Sequence, residues 1–416
     1  MAPRWCLRCC TAGESRPPAR TVSALRPADL VAAVGEVTSL LEPWEDAHVV
    51  LVKVLQDAVR NQGRVELVRE VDFGRFVAVK RMPNRWVCSG PEEFDQRRPD
   101  SAEKPWVDIG LLRLLAAVDF PYVCRLHGVF RTEKETIVAT SFCSEGDLFD
   151  WCFRETVPPP GPQREAHMLP IVAQIIDSVR WLHDLGVAHR DISLENILLS
   201  RSGPEVQVRL IDFAMATMQR RVRREVRGKG SYQAPECHSD RSVDTFLLDA
   251  FAIGVVIFAM GAQDYPWART KVGECQLFRG AAMVGVRQFL GRRMLRSGHG
   301  ELLCEVLSPD FLDLVSALLE FRPQSRACLG EAAFEQEVSR GRREIIWALP
   351  SLKGAEALLA RPVGPPEAKR SSASLDALSA QRALDLRTTC STKSSCSVSG
   401  ETCSRRSDSS SWRSWS

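Results

Sequence analysis

The sequence predicts an α+β protein of two lobes, a small sheet-rich lobe followed by a larger helical one. Three observations carry that prediction. Up to about residue 140 the apolar runs are short and rich in valine. After 145 they lengthen and repeat at helical spacing. One of the later runs, TFLLDAFAIGVVIFAM from Thr245, is apolar on nearly every face, which is the pattern of a helix buried all round.

The elements follow in order. A basic, proline-containing start leads into RPADLVAAVGEVTSLL from Arg26, which reads as one short amphipathic helix. VVLVKVL, RVELVREV, RFVAVKRM, VCRLHGVF and ETIVATSF read as strands. VDIGLLRLLAAV interrupts them with a helical pattern, and AHMLPIVAQIIDSVRWLHDLG is a long helix that stops at Gly186. DFLDLVSALLEF is amphipathic. Composition divides the chain into an N-terminal extension at 1–44, partly disordered, one domain at 45–350 with its lobes meeting near 141–142, and a Ser/Arg-rich disordered tail at 351–416.

Charge and composition narrow the function. Hydrophobic residues make up 44% and charged residues 26%, and the net charge of +3 is too near balance to argue for nucleic acid. No apolar run reaches the roughly 18 residues of a membrane span. MAPRWCLRCC lacks the apolar core of a secretory signal, and position 2 is not glycine. The 14 cysteines are scattered, mostly in apolar settings such as those of Cys124 and Cys304, which fits reduced thiols in the cytoplasm. Cys6, Cys9 and Cys10 cluster; they read as incidental thiols, as sites of reversible membrane association through palmitoylation, or as metal ligands.

Phosphoryl transfer needs positioning, metal ions on the phosphates and fixed positive charge more than covalent help. The chain offers those parts in sequence. Ala78 and Lys80 alternate onto one strand face, so a small side chain leaves room for a flat base while an ammonium reaches phosphate oxygens. Asp191 can orient a hydroxyl, and Asn196 and Asp212 can hold metal.

At these residues the chain resembles the eukaryotic protein kinase family, over roughly 45–350. Val77-Ala-Val-Lys80 is similar to the strand-lysine motif, and His189-Arg-Asp191 with Asn196 to a catalytic loop of the protist HRDISLEN type. Asp212-Phe-Ala is similar to the DFG motif, and Ala234-Pro-Glu236 to the end of the activation segment. The resemblance implies a two-lobe kinase fold with ATP and Mg2+ in the cleft. It implies that Lys80 positions the α- and β-phosphates, that Asp191 orients the substrate hydroxyl, and that Asn196 and Asp212 hold the metal. Gly63 and Val65 would cover the nucleotide, Ala78 and Leu198 would enclose the base, and Thr140 would be the gatekeeper before a hinge at Ser141–Cys143. Asp249 would anchor the catalytic loop, and Arg326 would pair with Glu236. Serine or threonine is the implied acceptor, in protein substrates.

The chain also departs from the family pattern. Ala58 and Arg60 stand where the phosphate-covering loop has its first two glycines. Asp108, or alternatively Glu103, takes the place of the glutamate that pairs with the strand lysine. Ser193 replaces a lysine that supports the transferring phosphate, and Ala214 replaces glycine. The activation segment is strongly basic, which suits a solvated face or acidic and already phosphorylated substrates. Thr217 and Ser231 are its hydroxyls that phosphorylation could pair with Arg190. An active serine/threonine kinase is expected; an inactive kinase-like scaffold and a small-molecule or lipid kinase are the alternatives.

Overall fold

A computed structural model describes residues 24–58, 62–203, 205–296 and 300–359. Cys6, Cys9, Cys10, Arg60 and most of the C-terminal tail lie outside them. One sheet has the order β1-β5-β6-β4-β3-β2. Its strands are β1 (Glu42–Pro43), β2 (Val49–Ala58), β3 (Gly63–Glu70), β4 (Phe76–Pro83), β5 (Leu126–Arg131) and β6 (Glu135–Ser141). β1 joins β5 in parallel, and the other pairings are antiparallel.

β4 shows why this sequence makes a strand. Val77, Val79 and Arg81 alternate onto a buried face, whereas Ala78 and Lys80 are half-buried on the other. The buried face packs Val68, Val77, Val79, Phe130, Ile137 and Ala139 into the small lobe's core. The helix Pro105–Ala117 serves the same lobe. A second helix, Pro27–Ser39, lies directly on it. Gly110 makes the close approach possible, because a Cβ there would meet Val34 Cγ2 at 2.5 Å and Leu30 Cδ1 at 2.8 Å. Arg113 pairs with Glu36 across the same contact at 2.5 Å.

The larger lobe is helical. The long helix Pro162–Asp184 ends two residues before Gly186, which takes φ +83°. Contrary to the reading that no apolar run reaches a membrane span, the helix Thr245–Ala262 has the 18 residues and the apolar composition to cross one, yet 94% of it is buried inside the fold. Pro309–Leu318 packs against it. Two hairpin strands, β7 (Ile197–Ser202) and β8 (Glu205–Leu210), pair antiparallel, as do β9 (Arg221–Arg223) and β10 (Ser242–Asp244). The helix read at Arg26 lies in the N-terminal extension as expected, and helical structure also runs past 350. The Pro27–Ser39 helix precedes residue 44, and Leu352 and Ala355, beyond 350, are buried. The Pro27–Ser39 helix docks through Ala33, Val34 and Val37, an apolar stripe that its sequence pattern shows without showing what it packs on.

Candidate active site

Lys80 projects from the half-buried face of β4. Its Nζ lies 2.9 Å from Asp108 Oδ2 and 3.5 Å from Asp212 Oδ1. Burial disfavours the ammonium, but Asp108 and Asp212 outweigh it and hold the pKa above that of an ordinary lysine. Asp108, the first of the two candidates for this pairing, is 3% exposed. Its shorter side chain suffices because the start of its helix docks on the turn that carries Asp212. Asp108 Oδ1 accepts from the Phe213 N–H at 2.9 Å, and the Lys104 N–H donates to Ala214 O at 2.8 Å. Lys80 in turn draws the Asp212 carboxyl below its usual range. Asp212 sits at φ +64°, and Ala214 lies within the 3-10 turn Phe213–Met215, so the left-handed strain falls on the aspartate and not on the alanine.

The loop at 189–196 is fixed from below. Asp249, on the buried Thr245–Ala262 helix, accepts from the His189 N–H at 2.7 Å and the Arg190 N–H at 2.8 Å. Arg190 is thereby held at φ +66°. His183 lies 3.1 Å from Asp249 Oδ2 and 2.8 Å from Glu331 Oε1. Burial alone would discharge His183, but its bonds to Asp249 and Glu331 push its pKa up to about 9. Burial lowers the pKa of His189 from its ordinary value. Its Nδ1 accepts from the Asp191 N–H, so its Nε2–H donates to Ile211 O at 3.1 Å.

Asn196 donates through Nδ2 to Asp191 O at 2.8 Å and to Asp191 Oδ2 at 3.0 Å. The other oxygen, Asp191 Oδ1, is buried and has no hydrogen-bond partner among the described residues. Burial pushes the Asp191 carboxyl up to about 7, against the attraction of Lys229. A base near neutrality with one oxygen free is the arrangement that can take a hydroxyl proton. The committed amide nitrogen of Asn196 leaves its oxygen for a cation. That oxygen and the Asp212 carboxylate are hard oxygen donors of the type that would hold magnesium.

The surface above these groups is apolar. Ala78 pairs with Thr140, and Val65 with Lys80, across neighbouring strands. Val65, Ala78 and Thr140 are half-buried, as is Leu198, which bridges to Asp147 at the start of β7. Gly63 stands opposite Ala58 at the end of the β2–β3 hairpin.

A family model for the protein kinase domain matches residues 61–336. The chain belongs to the protein kinase family. It is 26% identical over 271 residues to serine/threonine-protein kinase 17A of Oryctolagus cuniculus, covering 63% of each chain. It is 28% identical over 221 residues to CBL-interacting protein kinase 8 of Oryza sativa subsp. japonica, covering 50% of this chain and 46% of that one. It is 24% identical over 305 residues to serine/threonine-protein kinase cds1 of Schizosaccharomyces pombe, covering 69% and 58%. The chain thus spans between 46 and 63% of the length of these relatives.

In this kinase the activation segment differs from the sequence expectation. The Arg190 guanidinium is already paired: Nη1 donates to Glu225 Oε2 at 2.8 Å and Nη2 to Glu225 O at 3.1 Å. Ser231 is buried and donates to Ala268 O, and Thr217 accepts from the Gln219 N–H. A carboxylate holds the place at Arg190 that a phosphate on Thr217 or Ser231 could take. Sequence reasoning missed Glu225, whose one signal was being the sole acid in a basic run. Arg326 binds Glu236 through both guanidinium nitrogens, at 2.5 and 2.9 Å, closing the segment's far end. Glu225→Gln is expected to lower kcat about tenfold, the worth of one charge-assisted hydrogen bond. Thr217→Ala should stay within about twofold of wild type, the scatter of an ordinary surface change. Phosphatase treatment should leave the rate unchanged. A phosphatase-sensitive rate would show that Glu225 does not do the work of a phosphate.

Proposed function

We propose that this kinase transfers the γ-phosphate of ATP to serine or threonine hydroxyls of protein substrates. The observation that carries the reading is the convergence of Lys80 on both Asp108 and Asp212, beside a catalytic loop whose Asp191 keeps one oxygen free. Lys80 would hold the α- and β-phosphates, and Asn196 and Asp212 the magnesium, which offsets charge on the transferring group. Val65, Ala78 and Leu198 would bind the base between two apolar walls, with Thr140 behind it. Asp191 Oδ1 would accept the substrate hydroxyl's proton as the oxygen attacks. On the rim, the Arg221 and Arg224 side chains are 66% and 67% exposed and support a preference for acidic or pre-phosphorylated substrates.

The test is incorporation from labelled ATP, with magnesium, into a generic acidic phosphoprotein and into a generic basic protein. Lys80→Met should cut incorporation by about 10²–10³-fold, the scale for losing one preorganised transition-state donor. Loss of nucleotide affinity should accompany it. If the wild type and Lys80→Met label equally, or neither labels, the catalytic reading fails and a scaffold role takes its place.

A further inference from the structure

Ser193 leaves the position two residues after Asp191 without a cation, and the Arg190 guanidinium is turned to Glu225. The Ser193 side chain is wholly buried and uncharged. Lys229, from the activation segment, comes to it: Nζ lies 3.3 Å from Ser193 Oγ and 2.9 Å from Glu195 Oε2. The Lys229 side chain is 20% exposed, so its ammonium is turned inward, unlike those of Arg221 and Arg224.

The backbone delivers it there. Gly228 takes φ +78°, and a Cβ on it would lie 2.9 Å from Arg190 O and 3.3 Å from Asp191 Oδ1. Glycine therefore lets the segment rest directly on the catalytic loop. Gln233 donates to Gly228 O at 2.8 Å, and the Tyr232 hydroxyl accepts from the Leu194 N–H at 3.2 Å. Lys229 is thus pinned on both sides, one residue from a backbone that touches Asp191.

We infer that Lys229 supplies, from the activation segment, the ammonium that contacts the transferring phosphate beside Asp191. The inference rests on the proposed kinase function and adds a residue to it. Three carboxylates, Asp191, Glu195 and Asp212, surround the approach. Lys229 offers that region a positive charge, paired with Glu195 until a phosphate competes for it. Its attraction for the Asp191 carboxyl is the main influence opposing burial there. Placing the cation on the activation segment ties catalysis to the order of that segment, because displacing residues 228–233 removes it.

The test compares the wild type, Lys229→Met and the exchanged pair Ser193→Lys with Lys229→Ser, in the full chain. Lys229→Met should lower kcat by about 10²–10³-fold, the range for one preorganised donor, and raise KM for ATP by a smaller factor, since part of the contact is already made to bound nucleotide. Calorimetry with magnesium should show AMP-PNP losing affinity relative to ADP, since the two differ in the terminal phosphate. The exchanged pair should recover kcat to within about tenfold of wild type, because the ammonium returns from the neighbouring position. Lys229→Gln repeats the comparison if the methionine variant folds poorly. If kcat and the AMP-PNP to ADP ratio survive Lys229→Met, Lys229 is only structural and the inference is overturned. If the wild type binds neither nucleotide, the kinase reading itself falls and this one with it.

Discussion

Asp191→Asn should abolish phosphate transfer while making the protein more stable. The rate loss is expected at about 10³-fold or more, toward the upper end for removing a general base. Stability moves the other way because the site places this carboxyl where burial opposes its charge. Its pKa is pushed up to about 7 from the ordinary 3.8. A carboxyl raised in this way favours the folded state fully below pH 3.8, and that contribution is lost as pH rises through about 7. Above neutrality the wild type carries a buried charge that the amide lacks. Asp191→Asn should therefore melt several degrees higher than wild type near pH 8 and at the same temperature near pH 4. Activity needs the ionised form, so kcat/KM of the wild type should climb as pH rises through about 7. Thermal melts and labelled-ATP rates over the same buffers check both statements. A variant that retains turnover, or that melts lower near pH 8, would remove Asp191 from the role of base.

The parts of this site that could be read from the sequence are those written in local patterns. Ala78 and Lys80 share a face because a strand alternates, and β4 has them half-buried opposite Val77 and Val79. The family resemblance offered Asp108, or alternatively Glu103, as the partner of Lys80, and the reach of the short Asp108 side chain depended on a helix docking on Phe213 and Ala214. Other contacts carry no such pattern. Lys229 reaches Ser193 through a left-handed glycine, and Glu225 meets Arg190 from within a run of arginines. Both lie in irregular chain, where one backbone angle decides which side chain turns inward. The bond from His183 to Glu331 joins residues 148 positions apart and has no local signature. The Pro27–Ser39 helix was legible as a helix, but its seat on Gly110 was not, since a glycine within a helical pattern does not say what lies against it.

Asp249→Asn should be the most damaging single-atom change outside the reacting groups, lowering both stability and kcat. Asp249 Oδ1 accepts from the Arg190 N–H, and Oδ2 from the His189 N–H with His183 Nε2 close by. Both oxygens are therefore acceptors. An amide presents its NH2 to one of these donors whichever way it is turned, and leaves a buried group unpaired. Breaking a buried charged arrangement on one side costs about 3–5 kcal/mol. Arg190 would also lose what holds it at φ +66°, so Asp191 would shift and the rate would fall. The histidine gives the loss a pH signature. Asp249 and Glu331 raise the pKa of His183 from 6.5 to about 9. The stability this contributes is fully present below pH 6.5 and disappears as pH rises through about 9. Removing the Asp249 charge weakens that contribution, so the gap between wild type and Asp249→Asn should be wider at pH 6 than at pH 9. Urea unfolding at the two pH values measures the gap directly. An equal gap at both, with kcat intact, would mean that the His183–Asp249 contact holds no charge and that the catalytic loop is anchored elsewhere.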